Sequence, residues 1–377
     1  MTDQSGFGLY VHWPFCQAKC PYCDFNSHVV SSVDQGRWRS ALVSEVRRVA
    51  EETEGRPLQS IFFGGGTPSL MDPETVASVI DAARWAWPFS NNIEITMEAN
   101  PTSVEASRFQ GYASAGVNRV SIGVQSLRDP DLKALGRLHS AAEAKSALDV
   151  ARSVFDRVSF DLIYARQNQS LADWRDELSE AIALGPDHLS LYQLTIEEGT
   201  AFGDRFGRGK LGGLPDEDLA ADMFELTQEL TEQVGLLAYE ISNHAAPGQE
   251  SRHNLIYWRS GDWVAIGPGS HGRSTGPTGR TATVALRTPA IWLGAVEEHG
   301  NGEDSREIIT ETEAFEERIM MGLRLREGIP RNAFPSTFSN KINSLIESGL
   351  LEVYADSFRA TPAGRPVLNF ILRELLA

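Results

Sequence analysis

FGLYVHWPFCQAKCPYCDFNSH, from Phe7 to His28, is a short apolar strand that runs straight into a cysteine loop. The loop holds every cysteine of the chain, Cys16, Cys20 and Cys23. Three thiolates at C-x3-C-x2-C spacing fit on one tight loop and suit soft-metal chemistry. They are one ligand short of a four-coordinate zinc site and of a fully ligated four-iron cluster. Position 25, where a fourth cysteine would fit, is Phe25. Two readings follow. His12 or His28 completes a Cys3His zinc site of the structural kind, or the loop holds a [4Fe-4S] cluster with one iron open to an exchangeable ligand. Structural zinc usually takes two ligand pairs from separate segments, which favours the cluster.

Outward from this loop, strand-like and helix-like segments alternate. SIFFGGGTPS is a strand entering a glycine turn, and NIEITMEANP, NRVSIGVQS, RVSFDLIYA and DHLSLYQLT are four further strands. Between them lie helical patterns such as WRSALVSEVRRVAEE, where Trp38, Leu42, Val46 and Val49 recur at helical spacing. Asp72 and Pro73 read as N-cap and first residue of another helix, and Thr102 with Glu105 as a capping box. Six β-α units in a row predict an α/β fold with a parallel sheet. A closed barrel needs eight, and LLAYEIS offers only a weak seventh strand, so the expectation is an incomplete (β/α)6 barrel over residues 1–240. Residues 241–305 read as a loop-rich connecting segment. Residues 306–377 read as a smaller α+β winged-helix-like module, with helices near Glu313–Leu325 and Ser339–Ser348, a two-stranded wing and a last helix.

Composition narrows the function classes. Of 377 residues, 41% are hydrophobic and 23% charged, an ordinary globular balance. A net charge of −17 argues against bulk nucleic-acid or anionic-lipid binding, where basic surface supplies the affinity. The opening residues show no secretory signal and no apolar run has membrane-helix length. Clustered cysteines point to a reducing compartment, and a cytoplasmic protein is expected.

In parallel β/α barrels, active sites form where strands end. Here the first strand ends in the cysteine loop and the second in Gly64, Gly65, Gly66 and Thr67. The third ends at Glu98, the fourth at Gln125, the fifth carries Asp161 and ends near Tyr164, and the sixth ends at Gln193. Thiols, glycines, acids and amides at six strand ends predict one polar site.

These residues carry a resemblance. The cysteine loop after the first strand resembles the signature of the radical S-adenosylmethionine (SAM) superfamily, and FFGGGTPS resembles its glycine motif. YVHWPFCQAKCPYCDF, GGGTPS, SIGVQS, GRLHS and DLIYA together resemble the oxygen-independent coproporphyrinogen III oxidase family and its HemW branch of haem chaperones, along nearly the whole chain. The resemblance implies a [4Fe-4S] cluster on Cys16, Cys20 and Cys23, with SAM on its open iron. Tyr10 and Tyr22 would flank the cluster, Gly65, Gly66 and Thr67 would contact SAM, and Glu98 would hold its ribose or amino part. Gln125, Arg137 and Asp161 match residues that contact a second SAM in the oxidase.

Two departures favour the HemW branch: Phe25 stands where the oxidase has a further cysteine, and only nine residues precede Tyr10. RHNLIYW agrees, since His253, Asn254, Tyr257 and Trp258 resemble the H-N-x-x-Y-W hallmark of that branch. The branch implies haem as cargo, with His253 on the iron and Tyr257 and Trp258 against the porphyrin. From the residues alone, a packed aromatic turn with His253 hydrogen-bonded inside competes with that reading, and His271 in GPGSHG is a rival axial ligand. The implied partners are haem-accepting proteins, an electron donor for the cluster and a second copy of the chain, with membrane contact only through partners and no nucleic acid. The alternative function is that of the oxidase, oxidative decarboxylation of propionates. A non-redox zinc protein is the third.

Overall fold

The structure, a computed structural model, describes residues 5–376. Residues 1–4, part of the stretch that shows no secretory signal, lie outside the described residues. Among the described residues no helix is long and apolar enough to cross a membrane.

Six strands form the predicted parallel core: β1 Phe7–Trp13, β2 Leu58–Gly65, β3 Phe89–Ala99, β4 Arg119–Gln125, β5 Arg157–Tyr164 and β6 His188–Gln193. Each pairs parallel with the next. Their apolar side chains are buried on both faces, as a sheet covered by helices requires; in β1 only Tyr10 is partly exposed. The covering helices start where the sequence marks them. Asp34 caps Gln35–Glu51 by accepting from the Arg37 N–H, and Trp38, Leu42, Val46 and Val49 face the sheet. Full capping boxes open Ala141–Val154 and Leu171–Ala183. Asp72 is the N-cap of Pro73–Ala86, but by backbone position only, since its side chain makes no capping bond.

The sheet does not close. β8 Asn243–Ala245 pairs antiparallel with the β6 edge and β7 Leu237–Ala238 antiparallel with β8, so LLAYEIS yields only a two-residue outer strand that does not pair with β6. The seventh parallel strand is β9 Asp262–Ile266, which runs parallel to β1 on its free side. β10 His271–Gly276, β11 Gly279–Ala285 and β12 Glu303–Ile309 continue antiparallel. The twelve-stranded order is β12-β11-β10-β9-β1-β2-β3-β4-β5-β6-β8-β7. Residues 241–305 therefore carry β8 to β11, the start of β12 and the helices Arg252–Trp258 and Pro289–His299 among their loops. The sequence hides this because β9 is only DWVAI, an Asp followed by four apolar residues between Gly/Ser turns, and the polar stretch near Ser274–Thr283 is a hairpin with side chains only half-buried.

The C-terminal module has its own apolar core, built from Ile319, Leu323, Ile342, Leu345, Ile371 and neighbours. Helices Glu311–Gly322 and Ser339–Glu347 precede the wing, and Leu368–Leu376 closes the module. The wing has three strands rather than two, because β13 Ile329–Pro330 joins β15 Ser357–Ala360 and β14 Leu351–Tyr354 in the order β13-β15-β14.

Candidate functional site

At the carboxyl ends of the core strands lies a cavity of about 750 Å³. It brings together Cys16, Cys20, Cys23, Tyr22, Gly65, Gly66, Thr67, Glu98, Gln125, Arg137 and Asp161. Tyr10 is not in its lining. It lies deeper in the barrel, hydrogen-bonded to His12 Nδ1 at 3.1 Å and stacked near Phe62 and His253. His253, Tyr257 and Trp258 lie away from the cavity as well.

Three segments hold the cysteine loop. The Gly66 N–H donates to Trp13 O at 2.7 Å and the Thr67 N–H to Phe15 O at 2.8 Å. A Cβ on Gly66 would stand 2.8 Å from Phe15 O, and one on Gly65, at φ +112°, would stand 2.6 Å from the His12 ring. The glycine motif is thus required for the second strand's exit to dock against the first. On the far side, Gly136 has φ +67° and a Cβ there would stand 2.7 Å from Pro21, while Phe202 N–H donates to Pro21 O at 2.8 Å.

Each thiol has a polar partner. Thr67 Oγ1 donates to Cys16 Sγ at 3.4 Å, Arg137 donates to Cys20 Sγ at 3.3 Å, and the Ser27 hydroxyl lies 3.7 Å from Cys23 Sγ. Burial pushes the Cys16 and Cys23 thiols up, and these hydroxyls oppose the shift. Arg137 also donates to Asn100 Oδ1 at 2.6 Å and Gly123 O at 2.8 Å, and its buried Nε has no partner. Among the described residues no three His, Cys, Asp or Glu side chains are gathered to hold one metal ion. A mononuclear zinc needs that convergence, whereas a cubane cluster gives each thiolate its own iron. His12 is committed elsewhere, between Tyr10 and Asn26 O. The donor set, three free thiols in one cavity with a hydroxyl or guanidinium at each, therefore fits the cluster.

Opposite the thiols stand two carboxyls. Burial, with Asp161 nearby, pushes Glu98 up to about 8, and burial pushes Asp161 up to about 6. Glu98 also accepts from the Gly65 N–H at 3.2 Å, and Ser121 Oγ donates to Asp161 at 3.3 Å. Gln125 carries φ 69°, left-handed for a non-glycine residue, at a register shift that ends β4 and turns its amide to the cavity. Asn100, Ser121, Gly123 and Ser27 belong to this arrangement and were not singled out from the sequence. Asn100 bridges Thr67 Oγ1 and Arg137, and its only signal is a position two residues past Glu98.

The H-N-x-x-Y-W segment is the short helix Arg252–Trp258 against the barrel's other end. His253 is 1% exposed. Its Nδ1 pairs with Ser60 Oγ at 2.8 Å and its Nε2 with the Tyr257 hydroxyl at 2.8 Å, while its ring stacks on Phe62 at 4.9 Å. Burial pushes it down to about 3. Its backbone N–H donates to Glu94, itself paired with Arg157 at 2.6 Å. Both ring nitrogens are engaged inside the fold, in the arrangement of a packed aromatic turn.

Thiols, glycines and acids at the ends of an open parallel sheet define a radical SAM protein, and residues 10–181 match the Radical SAM superfamily. Residues 309–367 match the HemN C-terminal domain. The chain is 39% identical to "Heme chaperone HemW" of Escherichia coli (strain K12) over the whole of both chains. It is 39% identical to "Radical S-adenosyl methionine domain-containing protein 1, mitochondrial" of Bos taurus over 98% of this chain and 87% of that one. The chain belongs to the HemW family. The solved coproporphyrinogen III oxidase HemN from Escherichia coli shares the fold, with TM-score 0.82 at 20% identity over 98% of this chain and 90% of that one.

Proposed function

We propose that the protein is a haem chaperone, carrying haem to acceptor proteins, with a [4Fe-4S] cluster on Cys16, Cys20 and Cys23 and exchangeable SAM beside it. The observation that carries the cofactor reading is the cavity with three free thiols, each with its own hydroxyl or guanidinium neighbour. The charge-assisted contact is the one from Arg137 to Cys20, a geometry that suits a metal-binding thiolate. When bound, cluster and SAM supply one-electron chemistry. The protein's residues bind and orient. Arg137 fixes Cys20 and Asn100 in one place, Thr67 links Cys16 to Asn100, and Gln125, Glu98 and Asp161 present polar atoms to a cationic, amine-bearing ligand. Gly65 and Gly66 supply the cavity wall and Tyr22 covers the loop. Tyr10, one layer below, supports this floor through His12.

The haem reading rests on the HemW family and on Phe25 in place of a further cysteine. In the same reading the cluster takes electrons from a donor protein, the chain pairs with a second copy, and residues 306–377 form a separate module. One anaerobic preparation tests it. Reconstituted protein should hold iron and sulfide and show a saturable Soret change with haem. Cys16→Ala, Cys20→Ala or Cys23→Ala should each lose most of the iron and sulfide. Stoichiometric zinc without sulfide, or turnover of coproporphyrinogen to protoporphyrinogen, would overturn the reading.

A further inference from the structure

We propose that the haem iron is taken by His271 on the edge that Asn26 joins to the cysteine loop, with His28 on the same edge; this rests on the haem-chaperone reading. His271 opens β10 directly after the Gly267–Ser270 turn. Its backbone is fixed, since its carbonyl accepts from Trp263 Nε1 at 2.7 Å and the residue pairs with Val284. Its imidazole is exposed and, among the described residues, neither ring nitrogen has a hydrogen-bond partner. A held backbone with a free imidazole is what an axial ligand needs. His253 is the reverse, with both nitrogens consumed and the ring sealed in the barrel.

His28 is stitched to the same edge. The residues Phe15–Cys16 pair with His28–Val29, and the His28 N–H donates to Pro14 O at 2.7 Å. Asn26 ties this segment to the His271 side. Its amide donates to Pro268 O and Arg287 O, both at 2.9 Å, and its Oδ1 meets His28 Nε2 at 3.1 Å, leaving His28 Nδ1 free. His28 and His271 both act electrostatically on His12 beneath them.

The rest of the edge suits a porphyrin. Phe25, Val29 and Val30 are 62%, 55% and 40% exposed within six residues of chain, which groups three apolar side chains on this edge. Lys19 and Arg287 both lie near enough to act on His28, which places two cations where propionates would sit. On a chain of net charge −17, an edge that joins imidazole, exposed apolar side chains and cations selects an anionic, flat, iron-bearing ligand. Phe25 also lines the thiol cavity, so the porphyrin would abut the cofactor site.

The test is a hemin titration of the anaerobically reconstituted full-length protein, wild type against His271→Ala, His28→Ala, the double variant and His271→Tyr. We expect His271→Ala to weaken binding by about tenfold or more and shift the Soret band, with free imidazole restoring its position. His28→Ala should have a smaller effect, and the double variant should bind without saturation. His271→Tyr should give a tyrosinate-type ferric spectrum, which a merely misfolded protein would not. Iron and sulfide content equal to wild type shows that the loop is intact. A saturable wild type with variants that titrate identically overturns the inference and leaves the haem reading standing. A wild type that never saturates overturns the reading itself.

Discussion

Glu98 and His253 set opposite pH limits on the metal-free protein. Glu98 is raised from an ordinary 4.5 to about 8, so the fold favours its neutral form. Its contribution is full below 4.5 and is lost as pH rises through about 8. His253 is lowered from 6.5 to about 3, so the fold favours neutral imidazole, whose contribution is full above 6.5 and is lost as pH falls toward 3. Metal-free Glu98→Gln should therefore keep its stability from pH 5 to pH 8 better than wild type in urea melts. An unchanged slope would show that Glu98 is ionised in the fold. His253→Ala breaks two buried hydrogen bonds and leaves a cavity beside Phe62, at a cost of about 2–5 kcal/mol. Its unfolding midpoint should drop by a corresponding amount, while bound haem per folded protein stays at the wild-type level. Glu98 was legible from its place at a strand end, but nothing in the string HNLIYW says that Ser60, almost two hundred residues earlier, occupies the ring nitrogen of His253.

The glycine turn after β2 was readable as a motif, but its part in docking two strands was not. Gly66→Ala puts a methyl against Phe15 backbone, which has no side-chain freedom to yield. Gly65→Ala adds a φ of +112° to a clash with His12. Each should cost about 1–3 kcal/mol and loosen the cysteine loop. Gly55 is the control, since its φ is +76° but nothing stands within 4 Å of an added Cβ. Gly55→Ala should cost about 1 kcal/mol and leave cluster content unchanged. Equal iron loading in all three variants would show that the turn does not hold the loop. The helices were legible because their signals are local: Ser140 with Glu143, Ser170 with Asp173, and Thr310 with Glu313 all cap as their spacing suggests. β9 was not, because four apolar residues between turns carry no period to distinguish strand from loop.

Across the molecule, two apolar cores sit side by side. The sheet core runs through β1–β6 and their helices, and the C-terminal core is separate, with Ile241 from the sheet side packed against it. Charged pairs cross between them: Arg273–Glu317 at 3.1 Å, Arg280–Glu317 at 3.6 Å and Arg259–Glu327 at 2.7 Å, with Arg365 donating to Glu240 O at 2.5 Å. Such contacts are partly exposed and salt-screened. The full-length protein should therefore unfold in two calorimetric steps, the smaller core first, with Glu317→Ala moving only the first step. A single step that shifts as a whole would show the cores to be one cooperative unit.

What the sequence by itself determined is the part written locally: the parallel β-α core, the helix caps, the thiol triad and the polar strand ends. These rest on spacing and periodicity within some twenty residues. Only the tertiary structure decided that β9 to β12 extend the β1 edge and that the wing has a third strand. It also decided that Asn100 joins the site, that the glycines serve the docking of two strands, and that His253 is spent while His271 is free. Each of those depends on which distant segments meet, and a hydrogen-bond partner or an added Cβ's neighbour is a property of that meeting, not of the spacing along the chain.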